Sequence, residues 1–276
     1  SNYAEDLRID YSILDQHSES YRKIRNTFRY LLGNLNDNFE EIKMEDIDVN
    51  QLPELEQFML HKIYSLNLKY NKYFKDYDFH NLYKELLNFC TVDLSSFYFD
   101  IRKDVLYCDS KESEKRKSTL ILLNIILNSL LKWFAPILSF TTEEIYQLVS
   151  KKNKSIHLEK FLDFPKKFEN GIIEKKWDEL IKIRDICNIS IEEKRASKEI
   201  GSSLEAELQI KINNKFEEVV NGIDLAELCI TSKAEINFDD QVEVDVVTKK
   251  SSGKKCSVCW KIRVDPCERH PKCQII

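Results

Sequence analysis

The sequence predicts a mainly α protein: a helical bundle, then a small α+β module, then a short cysteine-rich tail. Three observations point to this. Glycine and proline number only five each in 276 residues, too few for the many tight turns of a sandwich built from short strands. Apolar residues recur at three and four through most of the chain before Gly201, and at two after it, the periods of helix and strand. Four of the eight cysteines fall at or after position 256. On these grounds the bundle is placed at 1–165, a long helix with the α+β module at 166–250, and the tail at 251–276.

The first helix is predicted from about Ser18 to Leu35, because Tyr21, Ile24, Phe28, Leu31 and Leu35 share one face and Gly33-Asn34 supplies a stop. Arg22, Arg25 and Arg29 form a neighbouring stripe on the same helix. That stripe suits a phosphate backbone, and it is equally what a solvated arginine face paired with nearby acids would look like. A second helix follows Pro53 with Leu55, Met59, Ile63, Leu66, Tyr70 and Tyr73 inward, and a third is expected from about Asp78 to Ile101. The aromatic cluster in its middle, Phe97-Tyr98-Phe99, reads as core rather than as a platform for bases.

A fourth helix covers about Glu112 to Phe134. Its apolar run from Leu120 approaches the length of a bilayer span, but Asn124, Asn128 and Lys132 line up as a polar stripe and Pro136 ends it. It reads as a buried bundle helix, with no membrane partner expected. A fifth begins at Thr141, where Thr141 and Glu144 have capping-box spacing. From Glu169 to Lys198 a long helix buries Ile173, Trp177, Leu180, Ile183, Cys187 and Ile191. Arg184, Arg195 and Lys198 fall close to one line on it, which either makes a second cationic stripe or leaves Arg184 a structural, partly buried arginine. Strands are expected at 204–212 and 242–246, and Lys249 to Lys255 reads as a linker.

Net charge is −5, so a polyanion would have to be met by a local basic face. Clustered cysteines without a leader point to a reducing compartment, the cytoplasm, and to metal rather than disulfides. Cys256 and Cys259 have knuckle spacing, and two of Cys267, His270 and Cys273 would complete a tetrahedron; the set Cys256, Cys259, Cys267, Cys273 is favoured, with His270 as the alternative. All-protein coordination makes one structural zinc the expected cofactor. Cys90, Cys108, Cys187 and Cys229 read as buried thiols. Trp260 either packs inward or stacks on a base, and packing is the simpler reading.

Several stretches resemble the C-terminal region of the bacterial-type isoleucyl-tRNA synthetases, a class I aminoacyl-tRNA synthetase family. They are Asn2 to Arg8, Ser20 to Leu35, Ser96 to Asp104 with Leu106-Tyr107-Cys108, Ala135 to Glu144, Lys198 to Ala206 and Cys256 to Trp260. The resemblance runs almost end to end. It implies an anticodon-binding bundle and a zinc tail that hold the anticodon stem and loop of tRNA-Ile, in an enzyme, monomeric at full length, that joins isoleucine to its tRNA with ATP. The family's nucleotide-binding motifs, His-Ile-Gly-His and Lys-Met-Ser-Lys-Ser, are absent, so the catalytic and editing domains are expected to lie elsewhere and this chain to be a fragment. Arg22, Arg25, Arg29, Arg184 and Arg195 are candidates for phosphate contacts, with Trp260 and Arg263 at the anticodon end. Two departures stand out: five residues separate Cys267 from Cys273 where the family usually has Cys-x-x-Cys, and Val258 replaces the usual arginine. The alternatives are a free-standing helical zinc-containing module that binds RNA or protein, and a scaffold with no RNA affinity.

Overall fold

The structure is a computed structural model describing residues 2–3, 5–6, 9–35, 39, 42–150, 154–265 and 269. The chain divides into two compact units: residues up to Arg102 with Glu112–Asn170, and Lys103–Lys111 with Gly171 onward.

The first unit is helical. Helix α1 (Tyr11–Leu35) buries Ile24, Thr27, Phe28, Leu31 and Leu35. It begins earlier than its apolar period, because Asp10 accepts the Ser12 amide at 2.9 Å and starts the first turn. Helices α2 (Glu54–Lys75) and α3 (Phe79–Asn88) follow, and α3 continues through a π-helical stretch, Phe89–Tyr98, into α4 (Phe99–Cys108). The sequence period across 78–101 reads as one helix because the chain does not break, but the wider turns re-aim its side chains. Phe97, Tyr98 and Phe99 are all buried, as core.

Helix α5 (Glu114–Phe134) starts at a Ser113 cap, whose hydroxyl accepts the Arg116 amide at 3.4 Å, and is buried on nearly every side from Leu122 to Phe134. The Asn124 and Asn128 stripe is interior; Asn124 donates back to the Leu120 carbonyl at 3.1 Å. Among the described residues no helix is long and apolar enough to cross a membrane. Helix α6 (Ser139–Val149) starts two residues before the expected capping box, and its first-turn amides lack a side-chain cap. Thr141 instead shares a 2.9 Å hydrogen bond with the Tyr21 hydroxyl of α1.

A buried polar network ties the interior together. Glu56 of α2 accepts Arg102 Nε at 2.6 Å and Nη2 at 2.7 Å, the Tyr98 hydroxyl at 3.0 Å and the Thr119 hydroxyl at 3.4 Å. Burial, followed by the Glu56 charge, pushes the Tyr98 hydroxyl well above its ordinary pKa, so it stays a donor.

In the second unit, α7 (Gly171–Ala196) buries the six residues read from its period. It covers a sheet of order β2-β1-β3, with β1 (Ala206–Ile212) central, parallel to β2 (Lys233–Phe238) and antiparallel to β3 (Val244–Lys250). The parallel pairing needs a crossover, supplied by the short helices α8 (Glu217–Val220) and α9 (Leu225–Leu228). Alternate residues of β1, from Ala206 to Ile212, are fully buried. The linker expected at 249–255 is shorter than the composition implies: Lys249 and Lys250 finish β3, and Lys254–Lys255 forms β4, paired with β5 (Ile262–Arg263).

At the end of α7, Lys198 adopts φ +60 in the left-handed region where glycine is usual. Lys198→Gly is therefore expected to raise the stability of this unit by about 0.5–1 kcal/mol, the strain relieved less the extra chain entropy. The midpoint of urea unfolding checks it.

Candidate nucleic-acid interface

In the first unit the α1 stripe is exposed along its length. Arg22 Nη2 donates to Glu19 at 2.5 Å in an open i,i+3 pair, which a phosphate can displace. Arg25 Nη1 donates to the Tyr21 hydroxyl at 3.3 Å. The same hydroxyl, bonded to Thr141 and to Arg25, has its pKa lowered by those two hydrogen bonds, Thr141 first. Arg29 has no hydrogen-bond or ionic partner among the described residues. Arg25, Arg29, Leu32, Thr141, Glu144 and Leu148 line a groove of about 500 Å3 between α1 and α6. Glu144 is the acid facing the two arginines there. On α6, Phe140 is 93% exposed and Leu148 is also open to solvent. The sequence reading passed over Phe140; its signal is an aromatic side chain in the first turn, outside the inward stripe of Thr142, Ile145 and Tyr146.

In the second unit the α7 stripe separates into two kinds of arginine. Arg184 Nε donates to the Leu228 carbonyl at 3.0 Å, closing the end of α9, so its guanidinium is committed to the fold. Arg195 is exposed and pairs with Glu192 at 2.5 Å. With Lys198 and Gly201 it lines a shallow depression of about 490 Å3.

The tail begins as a hairpin with Lys254 opposite Arg263 and Lys255 opposite Ile262. Gly253, at φ +124, lies so close to the Arg263 backbone that a Cβ would meet its carbonyl oxygen at 2.4 Å. Between the strands, Cys256 accepts the Trp260 amide on its carbonyl at 3.0 Å and the Val258 amide on Sγ at 3.4 Å. Both Cys256 and Cys259 are buried, and neither is in a disulfide. Ile262 N donates to Ser232 Oγ at 2.6 Å, tying the hairpin beside β2.

Two buried thiols on one turn, one already accepting an amide N–H, match what a zinc knuckle asks of its first ligand pair. Cys267 and Cys273, and the alternative ligand His270, lie outside the described residues. Trp260 takes φ +64 and is 59% exposed rather than packed inward, with Lys255 Nζ 5.2 Å from its ring centroid. Arg263 Nε is buried with no hydrogen-bond partner, at a groove of about 560 Å3 also lined by Lys233, Ser251 and Ser252. Of the scattered cysteines, Cys90, Cys187 and Cys229 are buried; burial pushes the Cys90 thiol up to about 12. Cys108 is only partly buried and packs against the Cys256–Cys259 pair.

A family model for the anticodon-binding domain of tRNA ligase matches residues 56–212. The chain is 66% identical over 270 residues to an isoleucine–tRNA ligase of Pelagibacter ubique (strain HTCC1062), a match covering 98% of this chain and 30% of that protein. It is 37% identical over 276 residues to the isoleucine–tRNA ligase of Bartonella quintana (strain Toulouse), covering 96% of this chain and 28% of that protein. The figures for the isoleucine–tRNA ligase of Agrobacterium fabrum (strain C58 / ATCC 33970) are 37% over 277 residues, 96% and 28%. The chain thus spans less than a third of the length of these curated relatives.

Proposed function

We propose, for a chain that belongs to the family of anticodon-binding domains of tRNA ligases, that it holds the anticodon stem and loop of tRNA-Ile as the C-terminal part of an isoleucine–tRNA ligase. The observation that carries this reading is the exposed cationic face of α1, with Arg29 beside the groove and without a partner among the described residues. A chain of net charge −5 attracts RNA only through such local faces. Arg22, Arg25 and Arg29 take backbone phosphates, Arg195 contributes from the second unit, and Arg184 is left to its structural bond. Phe140 and Trp260 offer exposed ring faces on which unpaired bases stack, and Arg263 lines the groove beside Lys233 as the further candidate for the anticodon end.

One zinc, held by Cys256, Cys259, Cys267 and Cys273, closes the tail; it orders the loop that presents Trp260 and takes no part in chemistry. ATP and isoleucine belong to the catalytic part of the larger enzyme, which is the other partner. The cytoplasm is the proposed compartment, where the thiols stay reduced.

Titrating the chain with tRNA-Ile and a noncognate tRNA at two salt concentrations, with bound zinc quantified on the same sample, tests this. Cognate binding is expected to be the tighter. From the three α1 contacts alone it should weaken at least about 40-fold between 50 and 200 mM salt, and Arg29→Ala should lower the salt slope by about one contact. Absence of salt-dependent binding overturns the reading.

A further inference from the structure

We propose that Asn221 is a site of spontaneous covalent modification: it closes onto the Gly222 nitrogen and passes through a succinimide to aspartate or isoaspartate, with Lys176 assisting the ring closure. The sequence holds two Asn-Gly pairs, Asn170-Gly171 and Asn221-Gly222. In both, the nitrogen after the asparagine is unshielded, because glycine has no Cβ beside it. By sequence the two pairs are equivalent, and the fold separates them.

Asn221 and Gly222 are both exposed, in the turn between α8 and α9 on the crossover from β1 to β2. Asn221 has φ −60 and ψ 126, Gly222 has φ +77, and Ile223 N donates to the Val220 carbonyl at 3.1 Å, which makes a type II turn. Neither the Asn221 carboxamide nor the Gly222 N–H has a hydrogen-bond partner among the described residues. Bringing the Gly222 nitrogen onto Asn221 Cγ requires rotation about the Asn221 ψ angle, and here that disturbs little beyond the turn bond. Asn170 is fixed from both sides. Its N–H is held by Nδ1 of the buried His61 at 2.9 Å, and Gly171 is the first residue of the 26-residue helix α7, so the same rotation would pull the helix start apart.

Ring closure begins when the Gly222 N–H gives its proton to hydroxide, leaving negative charge shared between that nitrogen and the Asn221 carbonyl oxygen of the same peptide. Lys176 Nζ donates to this oxygen at 3.2 Å, a cation placed where the charge develops. The nitrogen then bonds to Cγ, the Cγ–Nδ2 bond breaks, and Nδ2 leaves as ammonia with a proton taken from water. Water opens the ring at either carbonyl, so in balance one water enters and one ammonia departs. The isoaspartyl product lengthens the main chain of the crossover by a methylene, and either product sets a carboxylate beside Lys176.

Incubating the full chain in mildly alkaline buffer, then reading peptide masses and enzymatic carboxyl methylation of isoaspartate, tests this. Asn221 is expected to convert at least about tenfold faster than Asn170, where the helix start must first open locally. Lys176→Met should slow conversion at Asn221 about two- to fivefold, the range for one exposed charge contact, and Lys176→Arg should restore the rate. Equal conversion at the two asparagines, or none at Asn221, overturns the site. An unchanged rate in Lys176→Met overturns the assistance and leaves the site standing.

Discussion

Glu56→Ala is expected to destabilise the first unit by about 3–5 kcal/mol, the scale for removing one partner of a buried ion pair. The cause is the charge left behind. Arg102 is almost wholly buried and Glu56 completely so. Deleting the carboxylate removes the charge that answers the buried Arg102 guanidinium and strips the Tyr98 hydroxyl of its acceptor, while the Thr119 hydroxyl keeps the Lys115 carbonyl at 2.8 Å. Arg102→Ala should cost a similar amount from the other side. The double replacement Glu56→Leu with Arg102→Met is the informative control: it removes both charges and keeps most of the volume, and should recover most of the lost stability. Urea unfolding followed by helical circular dichroism measures all three. Single replacements as mild as the double would show that water reaches the pair.

That network was not legible in the sequence. Glu56 falls one position after Leu55 of the inward stripe and reads as a polar residue at a helix start. Its burial depends on the π-helical stretch, which sets Tyr98 and, four residues on, Arg102 against α2. A shift to wider turns leaves no mark on a period of three and four. The stripes of α1 and α7 were legible because each faces one continuous apolar interior, so burial follows the helical period. Strand β2 was missed although Ala234, Ile236 and Phe238 alternate, since it is an edge strand with Lys233 and Glu235 exposed. At the candidate interface, spacing placed Arg22, Arg25 and Arg29 together. For Arg184 it left both readings open, cationic stripe or structural arginine, because what decides between them is the Leu228 carbonyl, 44 residues further along the chain.

Cys256→Ser is expected to weaken zinc or cobalt binding by at least about 100-fold while leaving the helical circular dichroism within a few per cent of the parent, because the metal's free energy, about 10–16 kcal/mol in small zinc modules, orders only what lacks a core of its own. The tail fits that description. Its hairpin is two strands of two residues each, and short isolated hairpins are marginal in water. Its buried cluster is Cys256 and Cys259, with Cys108 and Val258 beside them. The helices need no such support. α5 is surrounded by buried Leu, Ile and Phe side chains, and α7 buries its own apolar stripe and packs against β3, Ser190 bonding to Thr248 at 2.8 Å. Chelation should act like the substitution, changing the fluorescence of the exposed Trp260 and leaving ellipticity at 222 nm in place. A collapse of helicity on metal removal would mean that the zinc holds α4 or α7 as well as the tail.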